Sequence, residues 1–101
     1  MATLHVALQD GFAHDPVRVW IAGEQVYHGT DVHSPRYCGI ADRFDTDVAD
    51  GSVTLEVMLP KRVPPHQHVE LYVAEESWVA ICLDEEGQLR HWMSLIPFVG
   101  T

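Results

Sequence analysis

Gly51-Ser52-Val53-Thr54-Leu55-Glu56-Val57-Met58-Leu59-Pro60 decides the fold class. Val53, Leu55, Val57 and Leu59 alternate with Ser52, Thr54, Glu56 and Met58. This period of two marks a strand with one buried and one wet face. Asp50-Gly51 ahead of it has the chemistry of a hairpin turn. Pro60 ends it, because proline has no N–H to give to a ladder.

The same alternation recurs on both sides of this stretch. Upstream, Leu4, Val6 and Leu8 alternate with Thr3, His5 and Ala7 until Asp10-Gly11. Val17, Val19 and Ile21 then alternate with Arg18 and Trp20, and Ala22-Gly23-Glu24 turns the chain into Gln25-Val26-Tyr27-His28. Gly29 to Gly39, with Asp31, Ser34 and Pro35, reads as an irregular loop. Phe44, Thr46 and Val48 resume the pattern, with Asp45 and Asp47 on the other side. Downstream, Lys61 to Pro65 forms an extended connection. His66, His68, Glu70 and Tyr72 then alternate with Gln67, Val69, Leu71 and Val73. Trp78 to Leu83 is a compact apolar run, Asp84-Glu85-Glu86-Gly87 closes a hairpin, and Leu89, His91, Met93 and Leu95 complete the series.

No long window repeats at helical spacing, and the turn residues fall roughly 8–12 residues apart. The expectation is an all-β chain: an antiparallel two-layer β-sandwich of seven or eight strands, occupying residues 1–101 as a single domain. A small β-barrel or cupin-like jelly roll is the alternative architecture. The inside set is led by Val53, Leu55, Val57, Val69, Leu71 and Ile81.

The 101 residues include 15 acidic and 6 basic side chains, a formal net charge of −9. Nucleic acid is disfavoured as a partner, because phosphate binding needs clustered Lys and Arg. An anionic membrane is disfavoured for the same reason. No apolar run reaches the length of a membrane span and no signal peptide is visible, so a cytoplasmic location is the default. Cys38 and Cys82 are then expected as thiols.

Three constellations invite a functional reading. His66, His68 and Glu70 share one strand face, and two imidazoles with a carboxylate suit a divalent metal. The segment is similar to the opening of the cupin metal motif, but its Glu follows too closely and the flanking glycines are missing. The acidic run Asp42 to Gly51 suits calcium by composition, yet lacks the spacing and closing Glu of an EF-hand loop. The aromatic residues Trp20, Trp78, Trp92 and Tyr72 are the candidate interaction surface, as anchors for a protein or a platform for a sugar. Tyr27 and Tyr37 complete the aromatic set. No serine elbow, phosphate loop or cysteine-histidine signature is present, although His28 and His33 lie near Cys38 in sequence.

Several segments together resemble a group of small uncharacterised bacterial β-sandwich proteins. They are Leu8 to Phe12, Val19 to Tyr27, Gly39 to Asp42, Asp50 to Val57, Leu83 to Gly87, and Pro97-Phe98. The Val19–Tyr27 hairpin and the Asp50–Val57 strand are also similar to transthyretin-like and immunoglobulin-like accessory domains. The resemblance implies a sandwich and no established activity. The expected function is a non-catalytic binding or assembly module without a cofactor, its partner another protein or a second copy in a homodimer. A divalent-metal site on His66, His68 and Glu70 and a carbohydrate-binding module are the alternatives.

Overall fold

The computed structural model describes residues 1–34 and 40–96. Eight strands run in chain order: β1 (Ala2–Leu8), β2 (Asp15–Ile21), β3 (Glu24–Val32), β4 (Asp42–Val48), β5 (Gly51–Met58), β6 (His66–Val73), β7 (Glu76–Leu83) and β8 (Leu89–Ser94). They form two packed four-stranded sheets, ordered β4-β1-β7-β8 and β3-β2-β5-β6, and do not close into a barrel. Among the described residues no helix is long and apolar enough to cross a membrane.

Alternation builds the core. Leu4, Val6 and Leu8 of β1, with Val79 and Ile81 of the neighbouring β7, face Val17, Val19 and Ile21 of β2 and Val53, Leu55 and Val57 of β5, all buried in one cluster. Of the expected inside set, only Val69 is half-buried.

Three local expectations are corrected. Asp50-Gly51 is not a hairpin, because β4 and β5 belong to different sheets. Gly51, at φ 112°, turns the chain from one layer to the other. The hairpin chemistry is real but is used as a corner. Second, the loop expected from Gly29 to Gly39 begins later, since β3 continues through Val32. Two register shifts against β2 let it do so: Val17 pairs with Gly29 while Asp15 pairs with Val32. Pro16 sits at that shift, where its missing N–H is tolerated. Residues 35–39, with Tyr37 and Cys38, lie outside the described residues, as do Pro97 and Phe98.

Third, one ladder is not antiparallel. β1 and β7 run parallel, from Thr3 opposite Glu76 to Leu8 opposite Ile81. A parallel pair requires a long crossover, and the excursion from β2 to β6 supplies it. The Ala22-Gly23 turn between β2 and β3 behaves as expected, with both φ values positive as a type I′ hairpin demands. Gly11 is required for a different reason: a side chain there would strike the Leu83 carbonyl.

The two sheets meet along two lateral seams. Where β3 lies beside β4, Tyr27 stacks on Phe44 at 4.8 Å between centroids, and its hydroxyl donates to Asp42 at 2.5 Å. Where β6 lies beside β8, one end is held by Gln67. Its amide donates to the Gly87 carbonyl at 2.9 Å, and its oxygen accepts from Leu89 N at 2.7 Å. Nearby, buried Asp15 accepts from Arg62 at 3.1 and 2.7 Å. Both seams place polar side chains against backbone or charge, so no buried side-chain polar atom is left unpaired among the described residues.

Candidate functional site

The far end of the β6–β8 seam has no such closure. β8 is an edge strand, paired only with β7. Its inward-phase residues His91 and Met93 lie opposite Ile81 and Val79, yet both are exposed. Tyr72, Trp92, Met93, Leu95 and Ile96 are all exposed here, Leu95 at 76% and Tyr72 at 72%. The other large exposed apolar side chains among the described residues, Met1 and Val63, lie outside this stretch of the sequence. Scattered exposed apolar residues need no explanation, but a concentration along one edge does.

Leu95 stands between two depressions. One, of about 350 Å³, is lined by Tyr72, Ala74, Ser77, Met93 and Leu95. The other, of about 330 Å³, is lined by Ala74, Glu75, Glu76, Trp78 and Leu95. A third of about 300 Å³ lies along the outer side of β8 among Gln9, Asp10, Ala80, Cys82 and Trp92.

Glu76 is held by a contact that joins three strands. His5 of β1 places Nδ1 2.5 Å from Asp45 Oδ1 of β4 and Nε2 2.8 Å from Glu76 Oε2 of β7. Its ring stacks on Trp78 at 4.7 Å. Burial opposes protonation of His5, but the two carboxylates outweigh it and hold the imidazole above its ordinary pKa. A protonated ring donates from both nitrogens, one to each carboxylate.

The residues singled out from sequence are placed as follows. His66, His68 and Glu70 do share the outer face of β6, all exposed. Glu70 accepts from Thr54 Oγ1 at 2.6 Å, and His66 Nε2 lies 3.5 Å from Glu56 Oε2. Among the described residues no group of three or more His, Cys, Asp or Glu is arranged to hold a metal ion. Trp20 and Trp92 lie on different sheets and cannot act as one platform. Trp20 is half-buried and tilted against His66 at 6.2 Å. Trp78 is half-buried beneath His5, which leaves Trp92 and Tyr72 as the exposed aromatic pair. Cys82 is a buried free thiol, and burial raises its pKa, the opposite of what an attacking thiolate needs.

Sequence reasoning did not find Met93 and Leu95 as surface residues, since both fall in the inward phase of β8. It also did not find the His5–Asp45–Glu76 contact, whose members are 40 and 71 residues apart. Compared with known protein families, curated proteins and solved structures, the chain matches none.

Proposed function

We propose that this chain is a non-catalytic protein-binding or assembly module whose contact surface is the edge strand β8 and its continuation to Ile96. The observation that carries this reading is the concentration of exposed Trp92, Met93, Leu95 and Ile96 on β8 and its continuation, with exposed Tyr72 of β6 beside Met93 and Leu95. An edge strand offers a row of free N–H and C=O groups to another strand. The other three edges are guarded. β4 turns Asp45 and Asp47 outward, β3 carries two register shifts, and β6 presents His66, His68 and Glu70. β8 pairs with β7 without a shift and carries one formal charge, Arg90, already paired with Asp84 at 3.1 Å. Main-chain hydrogen bonds along such an edge give affinity, and depressions beside it give selectivity.

Selection of random linear peptides displayed on phage tests this. Wild type is expected to enrich binders that fail on a Met93→Ser/Leu95→Ser variant. Failure to enrich any, or binders indifferent to the double substitution, would refute it. A sugar-binding reading rests on one further observation: Trp92, 56% exposed, borders the depression containing Gln9 and Asp10. Retention on a glycan array that is lost in Trp92→Ala would favour it.

A further inference from the structure

We infer that the strand received at β8 is a basic one, an extended segment in which apolar residues alternate with Lys or Arg. This deepens, and rests on, the reading of β8 as the contact edge. Successive side chains of any added strand point to opposite faces of the sheet. The two sides of β8 differ in chemistry. On the inward side, the depression of Tyr72, Ala74, Met93 and Leu95 is lined mainly by carbon, and the two serine hydroxyls near it are engaged. Ser77 Oγ donates to the Ala74 carbonyl at 3.1 Å, and Ser94 Oγ donates to the Ile96 carbonyl at 2.7 Å. That side takes an apolar side chain.

On the outward side, Glu75 and Glu76 stand beside Trp78, and Asp10 stands beside Trp92. Glu76 gives one oxygen to His5 and keeps the other. The one formal cation of β8, Arg90, is held by Asp84, and the His5 ring beside Glu76 is shared with Asp45. A Lys or Arg stem laid across Leu95 covers apolar surface while its head reaches the carboxylates. The net charge of −9 draws such a segment in and repels an acidic one. The same charge argues against a second copy as the occupant. Its own β8, Leu89-Arg90-His91-Trp92-Met93-Ser94, does not alternate apolar with basic residues, and its one formal cation is already paired.

Fluorescence anisotropy with three labelled peptides of equal length tests the inference: alternating Lys–Val, Ser–Val and Glu–Val. The Lys–Val peptide is expected to bind most tightly and Glu–Val least. Glu75→Gln and Glu76→Gln should each weaken Lys–Val binding about fivefold, the worth of one exposed charge contact. Met93→Ser/Leu95→Ser should weaken Lys–Val and Ser–Val alike. Equal binding of all three peptides overturns the charge assignment and leaves the β8 reading intact. Lys–Val binding that ignores both the Glu→Gln and the Met93/Leu95 substitutions marks general attraction to an acidic surface and overturns the inference. Sedimentation of the unlabelled chain completes the test. A dimer that dissociates in Met93→Ser/Leu95→Ser, with no peptide binding, names the second copy as occupant. A monomer with no peptide binding sinks the β8 reading as well.

Discussion

The two seams of the sandwich solve the same problem differently. At β3–β4 an aromatic stack, Tyr27 on Phe44, is locked by a hydroxyl bond to Asp42. At β6–β8 only one end is closed, by Gln67 and the nearby Asp15–Arg62 pair, and the other end leaves Tyr72, Met93 and Leu95 in solvent. A small sandwich has few apolar residues to spare, because about a third of the surface its unfolded chain exposes stays exposed after folding. Leaving this many apolar side chains outside one edge, when the opposite edge is sealed, is the contrast on which the proposed contact surface rests.

The comparison can be broken by stability measurements. Its scale is set by Leu55, which lies between the seams and is fully buried. Leu55→Ala should cost about 2–5 kcal/mol by leaving a cavity, while Glu56→Ala on the wet face should be nearly neutral. Denaturant titration giving equal losses would invert the register on which both seams depend. Next comes the closed end of β6–β8. Arg62→Ala strands a buried carboxylate and should cost about 3 kcal/mol. Burial disfavours the charged form of Asp15, but Arg62 and the Ala13 amide outweigh it and hold the carboxyl below its ordinary pKa. The wild-type advantage should therefore be complete above the unfolded carboxyl pKa and fall away as pH drops through the lower folded one. An advantage over Arg62→Ala that survived at the lowest pH would show that the guanidinium acts by packing alone.

Smaller effects distinguish the seams directly. Tyr27→Phe removes the hydroxyl bond to Asp42 and should cost about 1 kcal/mol. Tyr72→Ser at the open end should stay within about 0.5 kcal/mol. Thermal melts in which Tyr72→Ser matches or exceeds Tyr27→Phe would mean that the open end is a stabilising contact, and the contrast between the seams would fail.

How much of this was legible in the sequence follows from the range of each signal. Alternation is local, so Val53 to Leu59 and His66 to Val73 reported their buried and wet faces correctly without any knowledge of neighbours. Asp50-Gly51 reported a sharp turn but not where the turn led, because turn chemistry is the same for a hairpin and a corner. Gly29 suggested a break, yet β3 absorbs it in a register shift. The seams were invisible for a stronger reason. Phase says that Met93 and Leu95 match the inward side of β8, but exposure depends on what the other sheet places opposite them. Trp20 and Trp92 looked alike in phase and fell on opposite layers, since phase does not name the sheet. His66, His68 and Glu70 were read correctly as one face, and their neighbours Thr54 and Glu56 were supplied by pairing with β5.

The smallest effect connects the two seams. His5 reaches Asp45 on β4, the strand at the closed seam, and Glu76 on β7, which borders the open one. The ring is partly covered while both carboxylates are largely exposed, so the contact should contribute only about 0.5 kcal/mol. Its sign with pH is nevertheless fixed. The folded pKa of His5 lies above its unfolded value, so the folded state holds the proton more tightly. The contribution is fully present below the unfolded pKa of about 6.5 and is lost as pH rises through the higher folded value. Comparing wild type with His5→Gln by denaturant titration should show a gap near pH 5.5 that narrows above pH 7. Nuclear magnetic resonance of the His5 ring protons should give a titration midpoint above the ordinary imidazole value of about 6.5. A gap independent of pH would show that stacking on Trp78 carries the contact. In that case Glu76 would be positioned by the sheet alone, and the open seam would keep its acidic side whatever the charge on His5.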